Sequence, residues 1–496
     1  MIFRLVSKRS IRALALVGTL SIYTPIAAQD NNETSIPENA AAAGTDARIA
    51  YVARNFDISE QRAMEQLALT DQFQPQISAL AEQFRDAYLI TVYNYGQPFS
   101  IDVIFSRDVT ANELQQAVPA NLRQHVKVGR SRFTQQQIMA GKDELLAAMK
   151  AEFSSVGASF DFKRDRFKIM LPEGTDMSVA RGLVPARLRT MVDLRNEDPG
   201  TTGAGYNTNA DDPTHSGKGS IWGGWPVRIG TRQAVCSSSF IVQNTETNFQ
   251  SLLTAGHCGA STLNIMWSDL TLRELTEPLY MRHGGDFDFQ TRWPGSLTTD
   301  GYLWIDRDVA GSFKYDCDVA GNNCKTKTWR NIYGGVSTTG YVAVTNAVKG
   351  TWRSAYGWND NHAENDVVCK YGMVTGTTCG RIVDSFYSYE DEGVSYDNFV
   401  RVLIDPSWPT AGSKGDSGGA VFRITSTSGS FPTATAIGVV SGGTFASSGT
   451  LSGYVPCSSS IRGDCHIIYM PIDRINDDNR PLGINAAYSE TAIDVN

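Results

Sequence analysis

The chain has no cysteine in its first 235 residues, although eight follow between Cys236 and Cys465. After its N-terminus it has no further apolar run long enough to span a bilayer as a helix. Its net charge is only −8, which argues against a nucleic-acid-binding protein and points to no other partner. No pattern in the sequence indicates a cofactor. The abrupt onset of cysteine use predicts a domain boundary in this chain of 496 residues.

The cysteines also lack the spacing of a zinc site, since no closely spaced pair stands beside a matching second pair. An even number of cysteines in a secreted chain favours disulfides instead. Close spacing predicts the pairs Cys317–Cys324, Cys369–Cys379 and Cys457–Cys465, which leaves Cys236–Cys258. Metal binding is the alternative use of these residues, and we predict no metal site.

The N-terminus has the pattern of a targeting segment. Basic residues precede an apolar run from Ala13 to Ile26, and the small pair Ala27-Ala28 precedes a polar stretch. This pattern predicts a secretory signal peptide over residues 1–28, and therefore a secreted protein with no membrane contact after cleavage. An N-terminal membrane anchor is the alternative.

A glycine-rich stretch at residues 411–420, AGSKGDSGGA, is the most unusual local sequence in the chain. Such a run favours a turn in which glycines take positive φ or allow close approach. A serine in this turn has an exposed hydroxyl, and nearby amides can face an oxyanion. We therefore predict Ser417 as the nucleophile of an acyl-transfer enzyme and the amides of Gly415 and Ser417 as its oxyanion hole. A tight turn without chemistry is the alternative.

A serine hydroxyl is a weak nucleophile and needs a base. The apolar run Leu252-Leu253 predicts a buried strand, and it ends in a small-residue turn that carries His257 beside Cys258. We predict His257 as the base. A structural histidine or a metal ligand is the alternative for this residue alone.

Two aspartates compete for the role of the carboxylate that orients the histidine. Asp286 and Asp288 lie in HGGDFDFQ, about 30 residues after His257, and their spacing of two predicts one strand face. Asp288 stands between two phenylalanines, where a charge is costly unless it has a partner. We favour Asp288 as the buried acid, and Asp286 stays the alternative.

Residues 29–200 show mixed helical and strand patterns and predict an α+β domain. Apolar residues recur with a helical period from Ala47, and Pro75 is predicted to break one of these helices. Strand patterns follow, including a hairpin whose return strand is Phe167–Leu171. Residues 196–218 are rich in Asn, Asp, Gly, Thr and Ser and predict a linker.

From residue 219 to residue 496, short strand patterns and frequent glycines predict an all-β domain. The order of His257 and Ser417, about 160 residues apart, resembles that of chymotrypsin-like serine peptidases. The stretches at 367–380, 437–443 and 469–472 resemble the bacterial α-lytic protease and streptogrisin group. The resemblance covers roughly 220–475. It implies two antiparallel six-stranded barrels, with the site in the cleft between them, and a secreted endopeptidase that acts on proteins or peptides.

The resemblance also implies roles for single residues. Ala411 matches the base of the specificity pocket, and Ser441, Gly442 and Gly443 match the strand on which those enzymes bind substrate. We find no acid placed to pair a basic side chain, so we expect cleavage after uncharged, medium or large apolar residues. The family pairs the aspartate before its serine with an arginine. That position is Lys370 here, which lacks the guanidinium fork, so the pairing is a hypothesis.

The first part of the chain resembles, more loosely, the pro-segment of that family. We therefore expect residues 29–200 to act as an intramolecular foldase and inhibitor, released by a cut between Asn196 and Lys218. The extended segment after Phe167–Leu171 could add to the strand at Val439–Gly443. A binding protein on an inactive peptidase fold and an esterase with the same triad are the alternative functions.

Overall fold

The structure is a computed structural model, and the residues that it describes all lie within the range Asn39–Asn496. The described ranges are 47–202, 205–206, 220–230, 234–244, 250–259, 262–266, 272–276, 278–293, 298–304, 310–315, 325–330, 341–348, 362–372, 375–391, 393–405, 410–426, 433–444, 454–456, 465–475 and 486–488. The predicted signal peptide, Cys317, Cys324 and Cys457 lie outside these ranges.

Within the described residues, every α-helix lies before residue 184. The helices are α1 Ala47–Asn55, α2 Glu60–Gln83, α3 Ala111–Ala117, α4 Gln135–Lys150 and α5 Met177–Leu183. Both α3 and α4 begin with a capping box. The hydroxyl of the capping threonine accepts from the third helical amide, and the side chain of the glutamate or glutamine at that third position accepts from the threonine's own amide. No described helix is long and apolar enough to cross a membrane.

The prediction that Pro75 breaks its helix is wrong, because α2 runs through it without interruption. A proline inside a helix removes one backbone hydrogen bond and costs about 3 kcal/mol or more. Phe73 and Ile77, on either side of Pro75, are fully buried in the same core. Burial of two such side chains is worth about 1.5–3 kcal/mol each, which offsets that cost.

The strands of the first part of the chain form two groups. They are β1 Tyr88–Asn94, β2 Ser100–Phe105, β3 Val126–Arg130, β4 Gly157–Asp161, β5 Arg166–Leu171 and β6 Val192–Asn196. The first three make one sheet, in which β1 pairs antiparallel and β3 parallel with β2. The hairpin β4–β5 turns at Asp165, whose φ of 53° is in the left-handed region, and matches the predicted hairpin. We call residues 47–202 the N-terminal module.

The rest of the described chain is built from strands. They are β7 Thr201–Thr202, β8 Gly205–Tyr206, β9 Ser220–Gly223, β10 Pro226–Ile229, β11 Ala234–Ser237, β12 Ile241–Asn244, β13 Gln250–Thr254, β14 Leu263–Met266, β15 Leu272–Glu274, β16 Pro278–Gly284, β17 Phe287–Arg292, β18 Thr298–Trp304, β19 Ala310–Tyr315, β20 Lys325–Arg330, β21 Tyr341–Ala347, β22 Val367–Gly372, β23 Gly376–Asp391, β24 Val394–Ile404, β25 Thr410–Ser413, β26 Ala420–Ser426, β27 Thr433–Gly443, β28 Tyr454–Pro456, β29 His466–Pro471 and β30 Ala486–Tyr488. The chain is thus mostly β-sheet, as predicted from residue 219 onward.

One sheet joins the N-terminal module to the later strands. Its order begins β6-β5-β4-β23-β22-β26-β27, and the junction is the antiparallel pairing of Gly157 and Ala158 with Tyr389 and Ser388. Two smaller sheets have the orders β15-β14-β10-β11-β8 and β16-β17-β13-β12-β30. The second contains Asp288 in β17, and its strand β13 leads to His257. Closure of the later strands into two six-stranded barrels stays a prediction.

Within residues 196–218, predicted as a linker, the structure describes two short strands, and the linker itself stays a prediction. Thr201–Thr202 pairs with β27 and Gly205–Tyr206 pairs with β11. The composition of the stretch suggested a loop, but short strands can be held entirely by backbone bonds to neighbouring strands, and side-chain composition does not report those bonds.

Candidate active site

His257 lies in a single turn of 3-10 helix, Gly256–Cys258, directly after β13. The preceding Gly256 leaves no room for a side chain, since a Cβ there would lie 2.1 Å from the carbonyl oxygen of Arg282. The predicted disulfide Cys236–Cys258 is confirmed, with 6.3 Å between its Cα atoms. It ties the histidine turn to β11. Cys369–Cys379 is also confirmed, and Cys465 is disulfide-bonded.

Asp288 holds the histidine turn with both carboxylate oxygens. The backbone amide of His257 donates to Oδ1 over 2.8 Å, and Nδ1 of the ring lies 2.7 Å from Oδ2. Asp288 is fully buried, and so is nearly all of the His257 side chain. This geometry fixes the ring orientation and makes Nδ1 the protonated nitrogen, so Nε2 is the nitrogen that can accept a proton.

The carboxylate of Asp288 is also bonded to the hydroxyl of Ser441, which lies next to the hydroxyl of Tyr389. Ser441 Oγ donates to Asp288 Oδ2 over 2.5 Å, and Tyr389 Oη lies 3.1 Å from Ser441 Oγ. Burial by itself would raise the pKa of Asp288, but the nearby His257 and these hydrogen bonds hold that pKa below its usual value. The carboxylate is therefore ionised where it can stabilise a protonated imidazole.

Asp286 does not contact the histidine. It precedes β17, which begins at Phe287, so the two aspartates do not share a strand face as their spacing suggested. Its Oδ1 instead accepts from Asn398 Nδ2 over 3.0 Å. Of the two candidates, the structure brings only Asp288 to His257.

The serine turn is fixed by three backbone hydrogen bonds. The amide of Asp416 donates to the backbone carbonyl of Ser413 over 3.0 Å, and the amide of Gly419 donates to the backbone carbonyl of Asp416 over 2.8 Å. The amide of Gly418 donates to the backbone carbonyl of Val440, in β27, over 2.7 Å. Gly415 and Gly418 both take positive φ, at 102° and 84°, as the glycine-rich pattern predicted.

Asp416 is buried beneath this turn and paired with Lys370, which confirms that hypothesis. Lys370 Nζ lies 2.8 Å from Asp416 Oδ2 and also donates to the Gly376 carbonyl over 3.0 Å. The amide of Ser413 donates to the same carboxylate oxygen over 3.0 Å. Burial lowers the pKa of Lys370, and the charge of Asp416 opposes that shift. Lys370 has no guanidinium fork, but its ammonium contacts Thr375 Oγ1 and the Gly376 carbonyl oxygen in addition to the carboxylate.

The serine turn packs directly on the end of the strand that leads to His257. The carbonyl of Ser417 accepts from the amide of Ser237, in β11, over 2.7 Å. A Cβ at Gly418 would lie 2.2 Å from Thr254 Oγ1 and 2.9 Å from the amide nitrogen of Ala255. Ser417 is buried, and Nε2 of His257 is buried without a hydrogen-bond partner among the described residues. The turn that carries Ser417 thus packs against Thr254 and Ala255, just before His257 in the chain.

The four residues predicted to bind substrate lie in two places. Ala411 is fully buried in β25, and its carbonyl accepts from Thr378 Oγ1 over 2.8 Å. Gly442 and Gly443 end β27 and pair antiparallel with Thr202 and Thr201. The side chain of the fourth, Ser441, faces Asp288, a role that no signal in the sequence indicated.

His283 lies beside His257, and Tyr396 contacts His283; neither residue was predicted as part of the site. His283 is the cross-strand neighbour of Asp288, and its ring centroid lies 6.2 Å from that of His257. Its Nε2 contacts the hydroxyl of Tyr396. Burial lowers the pKa of His283. In the described parts of the chain, no cluster of His, Cys, Asp and Glu side chains could hold a metal ion.

No family model matches the chain, and no curated protein matches it. Solved structures similar to it are chymotrypsin-like bacterial serine proteases. Nocardiopsis protease is 18% identical over 52% of this chain and 95% of that chain, with a TM-score of 0.30. Protease A of Thermobifida fusca is 20% identical over 52% and 94%, with a TM-score of 0.31. Cellulomonas bogoriensis chymotrypsin is 20% identical over 52% and 94%, with a TM-score of 0.29. Scores this low carry no argument about the function of the chain.

Proposed function

We propose that the chain is a serine endopeptidase that cleaves peptide bonds through Ser417, His257 and Asp288. The observation that carries this proposal is the buried carboxylate of Asp288, which holds both the ring and the backbone of His257. The serine turn packs on the strand end leading to that histidine. A structural histidine would not need a buried, ionised carboxylate on one ring nitrogen and an open acceptor position on the other.

In this mechanism Ser417 Oγ attacks the scissile carbonyl while Nε2 of His257 takes the hydroxyl proton. Asp288 keeps Nδ1 protonated and stabilises the imidazolium. The amides of Gly415 and Ser417 bind the oxyanion, which is worth about 2.7–4 kcal/mol per donor in related chemistry. His257 then protonates the leaving amine. Water hydrolyses the acyl-enzyme by the same steps in reverse, which restores the serine.

The preference for uncharged apolar residues is part of this proposal. Ala411 is buried and carries only a methyl group, and Gly442 and Gly443 have no side chains. None of these three positions offers a charge that could pair with a basic or acidic side chain of a substrate. A peptide library that showed strict preference for arginine or lysine would contradict this part.

The test is covalent labelling by a fluorophosphonate probe together with hydrolysis of casein. We expect the probe on Ser417, both activities lost in Ser417→Ala, and both kept in Ser413→Ala, which removes another hydroxyl of the same turn. Absence of labelling in folded protein would favour an inactive binding protein. Labelling without casein hydrolysis, but with hydrolysis of esters, would favour an esterase.

We further propose that residues 29–200 are a pro-domain that assists folding and inhibits the enzyme, and that the signal peptide 1–28 directs secretion. The confirmed disulfides support an oxidising compartment. The N-terminal module lies against the later strands through β4 and β23. The strand that directly follows residue 200, Thr201–Thr202, pairs with the glycines that we assign to substrate binding, so the end of the proposed pro-domain leads the chain onto that position.

Buried polar contacts hold the N-terminal module to the rest of the chain. Lys168 Nζ contacts Asp384, and Ser159 Oγ donates to the same carboxylate over 2.8 Å. Lys142 Nζ donates to the carbonyl of Phe386 over 2.7 Å. Burial lowers the pKa of Lys142 to about 8. These contacts meet β23. Its hairpin partner β24 pairs in turn with β29, a strand distant in sequence, and distant pairings form slowly.

A further inference from the structure

Asp391 ends β23 beside the strand that we assign to substrate binding. Its carboxylate oxygen Oδ2 accepts from both the backbone amide and the hydroxyl of Thr202, over 2.6 Å each. Thr202 in turn pairs antiparallel with Gly442 in β27. Among the described residues, Thr202 supplies both hydrogen bonds to this carboxylate. The carboxylate of Asp391 is therefore placed to bind one residue of a segment that lies on Gly442.

The same face of β23 presents a second side chain to this position. Tyr389 precedes Asp391 by two residues, so both side chains lie on one face of the strand. Tyr389 Oη lies 3.1 Å from Ser441 Oγ. A Cβ on Gly442 would lie 3.5 Å from the Tyr389 hydroxyl and only 2.4 Å from the carbonyl oxygen of Thr201. The absence of a side chain at Gly442 thus lets an extended segment approach closely, between β27 and this face of β23.

The register brings the contact with Asp391 close to the serine. The segment on β27 is antiparallel, so its carboxyl direction runs past Gly442 toward Val440. The carbonyl of Val440 accepts from the amide of Gly418, the residue after Ser417. A residue opposite Gly442 therefore precedes the position of the serine by about two residues. In a bound substrate, we expect it to be the second or third residue before the bond that is cut.

The geometry of the contact limits which side chain fits. Asp391 is only 8% exposed, and a buried carboxylate is costly unless donors surround it. The same oxygen of Asp391 accepts from the amide and from the hydroxyl of one residue. A hydroxyl on Cβ can reach an oxygen that is already bonded to the amide of its own residue. Lysine and arginine carry their charge several bonds farther from the backbone and do not reach that point.

We propose that Asp391 is a specificity-determining residue, which selects substrates with threonine or serine opposite Gly442. This inference rests on the proposed peptidase function and adds a second position of recognition to the apolar residue before the cut. Thr202 occupies the place of that substrate residue in this structure and leaves it when a substrate binds. The substrate class is an extended polypeptide segment in which a β-hydroxy residue shortly precedes the apolar residue at the cut.

The experiment compares peptide amides that differ only by threonine or valine, which have the same shape. The variable residue is the second or the third before the cut, and leucine stands directly before the cut. The enzyme is recovered from expression of the full-length chain. We expect kcat/KM to be about tenfold higher for threonine at one of these positions, because its hydroxyl bonds to a charged acceptor. Equal kcat/KM for threonine and valine at both positions would overturn the inference, and so would a preference for lysine there.

Asp391→Ala and Glu390→Ala form a matched pair of variants. Glu390 is the neighbouring carboxylate, and its side chain contacts Lys150 and Ser395 instead of Thr202. The ratio of kcat/KM for threonine and valine peptides is measured within each variant, so the amount of folded enzyme cancels. We expect this ratio to fall to about one in Asp391→Ala and to stay near ten in Glu390→Ala. An unchanged ratio in Asp391→Ala would contradict the inference, and the wild-type comparison decides alone if that variant does not fold.

Failure of the peptidase function would have a different signature. No peptide of the series would be cut, and the fluorophosphonate probe would not label Ser417, so the inference would fall together with the function. Hydrolysis of every peptide without a preference for threonine would overturn only the role of Asp391 and leave the peptidase function standing.

Discussion

Replacing Asp288 by asparagine changes one atom of the side chain and tests the central contact of the site. The carboxylate now accepts from the His257 amide over 2.8 Å and from the ring Nδ1 over 2.7 Å. An asparagine oxygen can still accept from the backbone amide, so the turn should keep its position. The remaining amide group can only donate toward Nδ1, which places the imidazole proton on Nε2 instead.

A proton on Nε2 leaves His257 unable to accept the proton of Ser417. The wrong tautomer in a triad of this kind lowers turnover by about 10⁴-fold. That factor corresponds to about 5 kcal/mol of transition-state stabilisation. The structure adds that Ser441 Oγ, 2.5 Å from the same oxygen, can accept from the new amide or turn away, so the pocket can accommodate asparagine.

The assay is the turnover number on a peptide amide, normalised to folded protein by circular dichroism. We expect Asp288→Asn to lose about four orders of magnitude with little change in thermal midpoint. Asp286→Asn is the matched control, since Asp286 bonds to Asn398 and not to the histidine. If Asp286→Asn showed the large loss and Asp288→Asn the small one, the assignment of the acid would be refuted.

Other variants probe the supporting structure. The double change Cys236→Ser/Cys258→Ser should lower the free energy of unfolding by about 3 kcal/mol, from the entropy of a loop of this size, and should reduce turnover. Unchanged turnover would show that the disulfide does not position the histidine. Gly418→Ala should give no active enzyme, since its Cβ would lie 2.2 Å from the Ser237 carbonyl at a φ of 84°. Added residues 29–200 should inhibit the mature enzyme, and Asp384→Asn should weaken that inhibition more than tenfold. Burial would raise the pKa of Asp384, but Lys168 and Arg401 hold that pKa below its usual value. Arg401 stays with the enzyme when the module leaves, so only the contribution of Lys168 is linked to inhibition. That contribution is full above the usual aspartate range near 4 and is lost as the pH falls toward the lower pKa of the bound state. Inhibition that became stronger as the pH fell below about 4 would contradict this.

The motifs of the candidate site could be predicted because short-range constraints determine them. The glycines of the serine turn need positive φ, and a charge between two phenylalanines needs a buried partner, which is how Asp288 could be favoured over Asp286. The spacing argument for a shared strand face failed, since it presumed that the strand begins before Asp286. Only the backbone path shows where a strand begins.

The features that were missed depend on partners distant in the sequence. Ser441 bonds to Asp288 across 153 positions, and nothing around either residue indicates the other. Pro75 reads as a helix breaker until the burial of its neighbours in the core is known. The polar stretch after Asn196 contains strands because β27 and β11 supply its hydrogen bonds.

The junction of β4 with β23 has a consequence for the proposed release of the N-terminal module. At Tyr389, β23 has β24 on one side and β4 on the other. Removal of the module would uncover backbone donors and acceptors there, and an uncovered strand readily pairs with another chain. We therefore expect the proposed mature form to self-associate through this strand at high concentration, and the module would also act as a cap that keeps newly made molecules apart.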